Sequence, residues 1–188
     1  MIEESNKYIM INVLKRTLIA LEKKDVRQLK ILSDHAIISA STFQDEYSVS
    51  IAVLIYSLSK ILERGNYGKM KGWSEFYKMS IVKLKSAKNF LEKNNINKFD
   101  SELREIFKGV NNLSSELKNN IKDVFEKAKI NKASKLYEQG ISVGRTAKLL
   151  GVSHWDLINF SGTKEEIGEK SFSKNIRRRI NYARSLFR

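Results

Sequence analysis

The chain has 188 residues, no cysteine, no proline, and a net charge of +14 from 35 basic and 21 acidic side chains. These numbers exclude disulfides, thiolate metal sites and cysteine nucleophiles, and they leave few residues that break helices. With 41% hydrophobic residues there is enough apolar material for a core, and alternating Val, Thr and Tyr runs are hard to find, so an all-α protein is expected.

The first ten residues, MIEESNKYIM, carry acids early and lack a long apolar run, which does not fit a signal peptide. The most apolar piece, SVSIAVLIYSLSKIL, is too short and too polar for a membrane span. A cytoplasmic protein without a membrane partner is expected.

In chain order, Ile11, Leu14, Leu18 and Leu21 repeat at helical spacing and predict a first helix over about residues 5–22. After the polar EKKD, Asp25 is a candidate N-cap for a second helix with Leu29, Leu32, Ala36 and Phe43 on one face. Asp45 is a candidate cap for a third, burying Tyr47, Ile51, Leu54, Leu58 and Leu62. That segment is apolar around much of its circumference, which places it at the centre of a bundle. ERGNYGKMKG reads as a loop, and residues 73–92 as a fourth helix with Trp73, Tyr77, Leu84 and Leu91 on one side.

KNNINKFD reads as a break, after which Asp100 or Ser101 opens a long fifth helix to about residue 128. Leu103, Ile106, Val110, Leu113, Leu117, Val124 and Ala128 fall along it at spacings of three, four or seven. The stripe suits a core helix of an antiparallel bundle. It barely supplies the three or four heptads a dimerising coiled coil requires. No internal repeat stands out.

From residue 129 the segments shorten and glycines recur at 140, 144, 151, 162 and 168. This predicts a helical bundle over 1–128, serving as scaffold or dimerisation surface, then a small module over 129–168 and a basic helix over 169–188. Residues 129–188 carry 13 basic and 5 acidic side chains, against 22 and 16 in the longer preceding part. Positive charge concentrated there points to an anionic partner.

KASKLYEQGISVGRTAKLLGVSHWDLINF reads as three helices. The first stops at Gly140, Ser142 caps the second, Gly151 makes a tight turn, and Ser153 caps the third. Ala147 is small where two helices cross, and Leu150, Val152, Leu157 and Phe160 are apolar where such a motif shares a core. The pattern is that of a helix-turn-helix.

The stretch EQGISVGRTAKLLGVSHWDLINFSG resembles the C-terminal module of small prokaryotic, often archaeal, antitoxin-like proteins. Their helix-turn-helix follows G-x-S-x-x-x-A-A-x-x-x-G-V-S, matched here by Gly140, Ser142, Ala147, Gly151, Val152 and Ser153, with Trp155 and Leu157 in the helix that follows. Thr146 stands where alanine is usual, a change expected to be easily tolerated. The resemblance covers about 30 of the 188 residues. It implies binding of double-stranded DNA or a role beside a toxin.

In such a fold the third motif helix enters the major groove, led by its N-terminal residues. That makes Ser153, His154, Trp155, Ile158 and Asn159 candidate base readers, Asn159 suiting adenine. Trp155 has a second reading, packing on a neighbouring helix, in which case that face serves a protein partner. Arg145, Lys148 and Lys164 are candidate phosphate contacts. In the terminal run, Phe172, Ile176, Ile180, Ala183 and Phe187 form one helical stripe. Lys174, Arg177, Arg178 and Arg184 lie mainly off it and are further phosphate candidates. A homodimer is expected, because one module alone binds weakly.

Enzymatic signals are sparse, and no cofactor or metal is expected. There are two histidines, His35 and His154, and no phosphate-cradling glycine motif. Ser33, Asp34 and His35 are too close in sequence to face one another on a helix. An all-helical ribonuclease of the HEPN type, with a polar residue, usually arginine, separated from a histidine by four to six residues, is a lesser alternative. Arg27 lies one residue too far from His35, and Gln28 has the spacing but not the side chain. His35 is expected to be a hydrogen-bonded core histidine.

Overall fold

A computed structural model describes residues 2–65 and 70–153. Among them are seven α-helices and no strand: α1 (Glu4–Glu22), α2 (Val26–Phe43), α3 (Glu46–Glu63), α4 (Trp73–Glu92), α5 (Ile96–Gly109), α6 (Ser115–Glu138) and α7 (Val143–Leu150). The all-α expectation holds, and the first four helices lie where their periodicity puts them.

The caps show why. Asp25 accepts the Gln28 N–H at the start of α2, and Asp45 accepts from Tyr47 and Ser48 at the start of α3. These bonds satisfy N–H groups that the helix itself leaves unpaired. Asp45 is further tied into a buried polar network. Asn6 of α1 donates to it at 2.8 Å and accepts from Ser39 of α2 at 2.6 Å and from Ser48 of α3 at 3.3 Å. One amide thus joins the ends of three helices.

α3 is central, packing against α2, α5, α6 and α7. Ile51, Leu54, Ile55 and Leu58 are among its fully buried side chains. Phe43, Tyr47, Leu62 and Tyr77, expected in the core, are only half-buried at its edge. The Tyr77 hydroxyl instead donates to the Leu21 carbonyl, pinning α4 to the end of α1.

The expected fifth helix is two helices. α5 begins at Ile96, where Asn95 accepts the Lys98 N–H. After Gly109 the chain tightens into a 3-10 turn over Val110–Asn112, turns at Leu113 and restarts as α6. Gly, Val, Asn and Ser are poor helix formers, and five of the six residues from 109 to 114 are of these types. The apolar spacing runs through the corner because the corner keeps Val110, Leu113 and Leu117 turned inward. All seven residues of the supposed seam are buried within this one chain, which leaves no coiled-coil surface there.

A repeat that the sequence reading missed emerges from the corners. LEKKDVRQL (21–29) and LEKNNINKF (91–99) fold alike. Lys24 and Asn94 both adopt left-handed backbone, at φ 52° and 57°. Asp25 N–H returns to the Ala20 carbonyl, and Asn95 N–H to that of Phe90. At the same offset Leu14 matches Leu84, Leu29 matches Phe99 and Ile51 matches Ile121, all buried. α1–α3 and α4–α6 thus match in sequence offset and in their first corner, and α1 packs on α4 and α3 on α6, but α2 lies closely along α3 while α5 does not run along α6 in the same way. The signal was in LEK followed by an Asp or Asn cap, but substitutions such as Ala36 for Ile106 hide the rest.

Candidate nucleic-acid interface

The first motif helix is the end of α6, which runs unbroken across residues 128 and 129, where a domain boundary was expected. It ends at Gly140, whose φ is +89°. Gly140 N–H bonds the Tyr137 carbonyl, and Ile141 N–H reaches back to that of Leu136 at 3.1 Å. This is a Schellman corner with its apolar residue, Ile141, buried.

Ser142 then caps α7, accepting the Arg145 N–H at 3.3 Å. α7 closes in the same way at Gly151, with φ +61° and Val152 N–H bonded to the Ala147 carbonyl at 3.2 Å. Among the described residues no other atom lies near enough to obstruct a side chain at Gly151, and the backbone angle is what favours glycine there. Ala147 and Leu150 are buried as the motif requires, and Val152 is half-buried. The end of α6, α7 and the two glycine corners are therefore in place, and the third helix of the expected motif lies outside the described residues.

α7 is packed onto the bundle, against α3 and α6. Arg145, a candidate phosphate contact, is exposed but donates one N–H to the Gln44 carbonyl at the end of α2, at 3.0 Å. Lys148 is exposed and makes no ion pair among the described residues. Ser153 is exposed at the last described position. His154, Trp155, Ile158, Asn159, Lys164, Lys174, Arg177, Arg178 and Arg184 lie outside the described residues, as does the basic terminal helix.

Upstream in α6, Lys132 is fully buried and reaches Asp34 of α2 at 2.8 Å, its ammonium 4.3 Å from the centre of the Tyr56 ring. Lys135, on the same side of α6, also pairs with Asp34. Burial by itself would raise the Asp34 carboxyl, but hydrogen bonds from the two lysines outweigh it and hold the group below its ordinary 3.8. Burial pulls Lys132 down to about 8, with the Asp34 hydrogen bond opposing it. Sequence reasoning passed over this clamp because its members are almost a hundred residues apart.

Other expectations change here. His35 is exposed and makes no hydrogen bond among the described residues, so it is not a core histidine. Ser33 donates to the Ala52 carbonyl, and Asp34 is held by lysines, so neither serves His35. Arg27 is also exposed on α2. No group of three His, Cys, Asp or Glu among the described residues is placed to hold a metal ion. No helix among them is long and apolar enough to cross a membrane.

Thr146 stands where alanine is usual in the resembled motif. It is 1% exposed, and its hydroxyl has no hydrogen-bond partner among the described residues. An unpaired buried hydroxyl destabilises. Thr146→Val, which keeps the shape and removes the hydroxyl, should raise the unfolding free energy by about 1 kcal/mol in urea titrations. A loss of stability would mean that the hydroxyl has a partner.

Compared with known proteins, the chain matches no family model, no curated protein and no solved structure.

Proposed function

We propose that the protein binds double-stranded DNA through a helix-turn-helix formed by the end of α6, α7 and the segment from Ser153. The reading helix begins at Ser153 and presents Ser153, His154, Trp155, Ile158 and Asn159 to the major groove. Lys148, Lys164 and the terminal arginines contact phosphates. The observation that carries this reading is the pair of glycine corners at 140 and 151, which bracket a short helix with a small buried residue, Ala147. The excess of positive charge beyond residue 128 supports it. A transcriptional regulator or an antitoxin-like protein is the class that fits.

The competing reading is a module that grips a protein, such as a toxin or a complex subunit. It draws on the fact that the described cations from residue 129 on, Lys148 apart, already have partners: Lys129 with Glu126, Lys132 and Lys135 with Asp34, Arg145 with a backbone carbonyl.

Salt titration of binding to random duplex DNA separates the two. Phosphate-driven affinity should fall steeply as salt rises, and Arg177→Ala with Arg178→Ala should flatten the log–log slope by about 2. No binding even at about 50 mM salt would end the DNA reading.

A further inference from the structure

α2 turns Leu29, Leu32, Ala36 and Ala40 to the core. Its opposite face carries Arg27, Ile31, His35, Ile38 and Thr42, all exposed, at steps of four, four, three and four, which is one helical stripe. Ile31 is 39% and Ile38 50% exposed. A solvent-facing helix stripe is normally polar, and isoleucines at its middle mark a contact surface. Five of the seven large apolar side chains exposed among the described residues lie on α1 and α2.

We propose that this face of α2 pairs with the same face of a second copy of the chain, antiparallel about a two-fold axis near residues 34 and 35. A two-fold interface must be complementary to itself. Reading the stripe backwards about that midpoint puts Ile31 on Ile38 and Arg27 on Thr42. Apolar meets apolar twice, and no like charges meet. A parallel pairing would set Arg27 on Arg27. The chain's own basic terminal run, with seven basic residues and no acid from Lys170 onward, would bring positive charge to Arg27. An acidic partner would find little to attract it, because Lys30 is already held by Glu63. The shoulder carboxylate, Asp34, is held by Lys132 and Lys135.

α2 has 18 residues and is about 27 Å long, so a contact along one of its faces is smaller than a standard specific interface. The dimer therefore dissociates on dilution. The inference does not rest on DNA binding, and its test contains no DNA, so either can fail alone.

Sedimentation equilibrium of the full chain should show monomer passing to dimer as concentration rises toward about 100 µM. Ile38→Asp, at an exposed position, should stay monomeric throughout with unchanged circular dichroism. Because the chain has no cysteine, single thiols report the register. Two His35→Cys thiols lie on opposite sides of the axis within reach of a thiol–thiol reagent about 10 Å long, whereas two Arg27→Cys sites stand about 22 Å apart along the helices. Efficient crosslinking of the first and none of the second is the expected result. A chain that remains monomeric overturns the proposal, and so does a dimer that survives Ile38→Asp. Equal crosslinking at both sites overturns it as well. A monomer whose His35→Cys thiol resists labelling would show the face covered from within the chain, which also overturns it.

Discussion

Asp34→Ala should destabilise the protein by about 3 kcal/mol, because it strands the Lys132 ammonium in the core. Lys132 is fully buried, and its remaining company is the Tyr56 ring. Lys135 reaches water and is little affected. The value sits at the low end for a broken buried pair because the Asp34 side chain keeps a 41% exposed, solvent-screened side. Lys132→Met should cost less than about 1 kcal/mol, since Met fills much of the space and leaves Asp34 with Lys135 and water. The double variant should recover most of what Asp34→Ala loses. Additive losses in this double-mutant cycle would show that the two side chains do not act as a pair.

The same pair sets a pH dependence. Lys132 binds its proton less tightly in the folded chain, at about 8, than in the unfolded chain, at 10.5. Between those values the unfolded state holds more protons, so this amine's contribution makes stability rise with pH across that window. Lys132→Met should remove that rise. Asp34 acts at the other end of the scale. Its carboxyl is held below 3.8, so its contribution is complete above that value and is lost as pH falls further.

Phe99→Ala should cost about 4 kcal/mol. The side chain is fully buried in α5, and its ring meets Tyr47 edge-on at a centroid distance of 5.7 Å. Leu29 stands 70 residues earlier at the matching offset in α2, equally buried, and Leu29→Ala should cost about 3 kcal/mol. Because α1 packs on α4 and α3 on α6, both losses should appear in a single transition. Trp73, nearly buried in α4, gives a fluorescence signal to set against the helical signal of the whole chain. Separate transitions for Phe99→Ala would mean that α4–α6 melt alone.

Much of the bundle is legible in the sequence because local chemistry decides it. Asp25 and Asp45 announce helix starts, and Gly140 and Gly151 announce ends, each through bonds within a few residues. The break near Leu113 was hidden because periodicity records which side is inward, and the corner preserves that side. At the second corner Asn94 stands where the first has Lys24, and with Asn95 beside it the pair reads as a break when it is a cap. The Asp34 clamp and the outward turn of His35 follow from how α6 lies across α2, which no local pattern encodes. Of the candidate interface, the glycine corners and the Ser142 cap were readable. The commitment of Arg145 to Gln44 and the unpaired hydroxyl of Thr146 were not, since both depend on the neighbour that α7 meets.

α6 belongs to two assemblies at once. Its 24 residues span about 36 Å, holding Lys132 inside the bundle and, two turns later, the Gly140 corner. No swivel separates the two, as a glycine- or serine-rich tether would. Whatever grasps α7 pulls on a beam anchored along its length. Two such beams, joined back to back, would hold their tips at one spacing and one rotational phase.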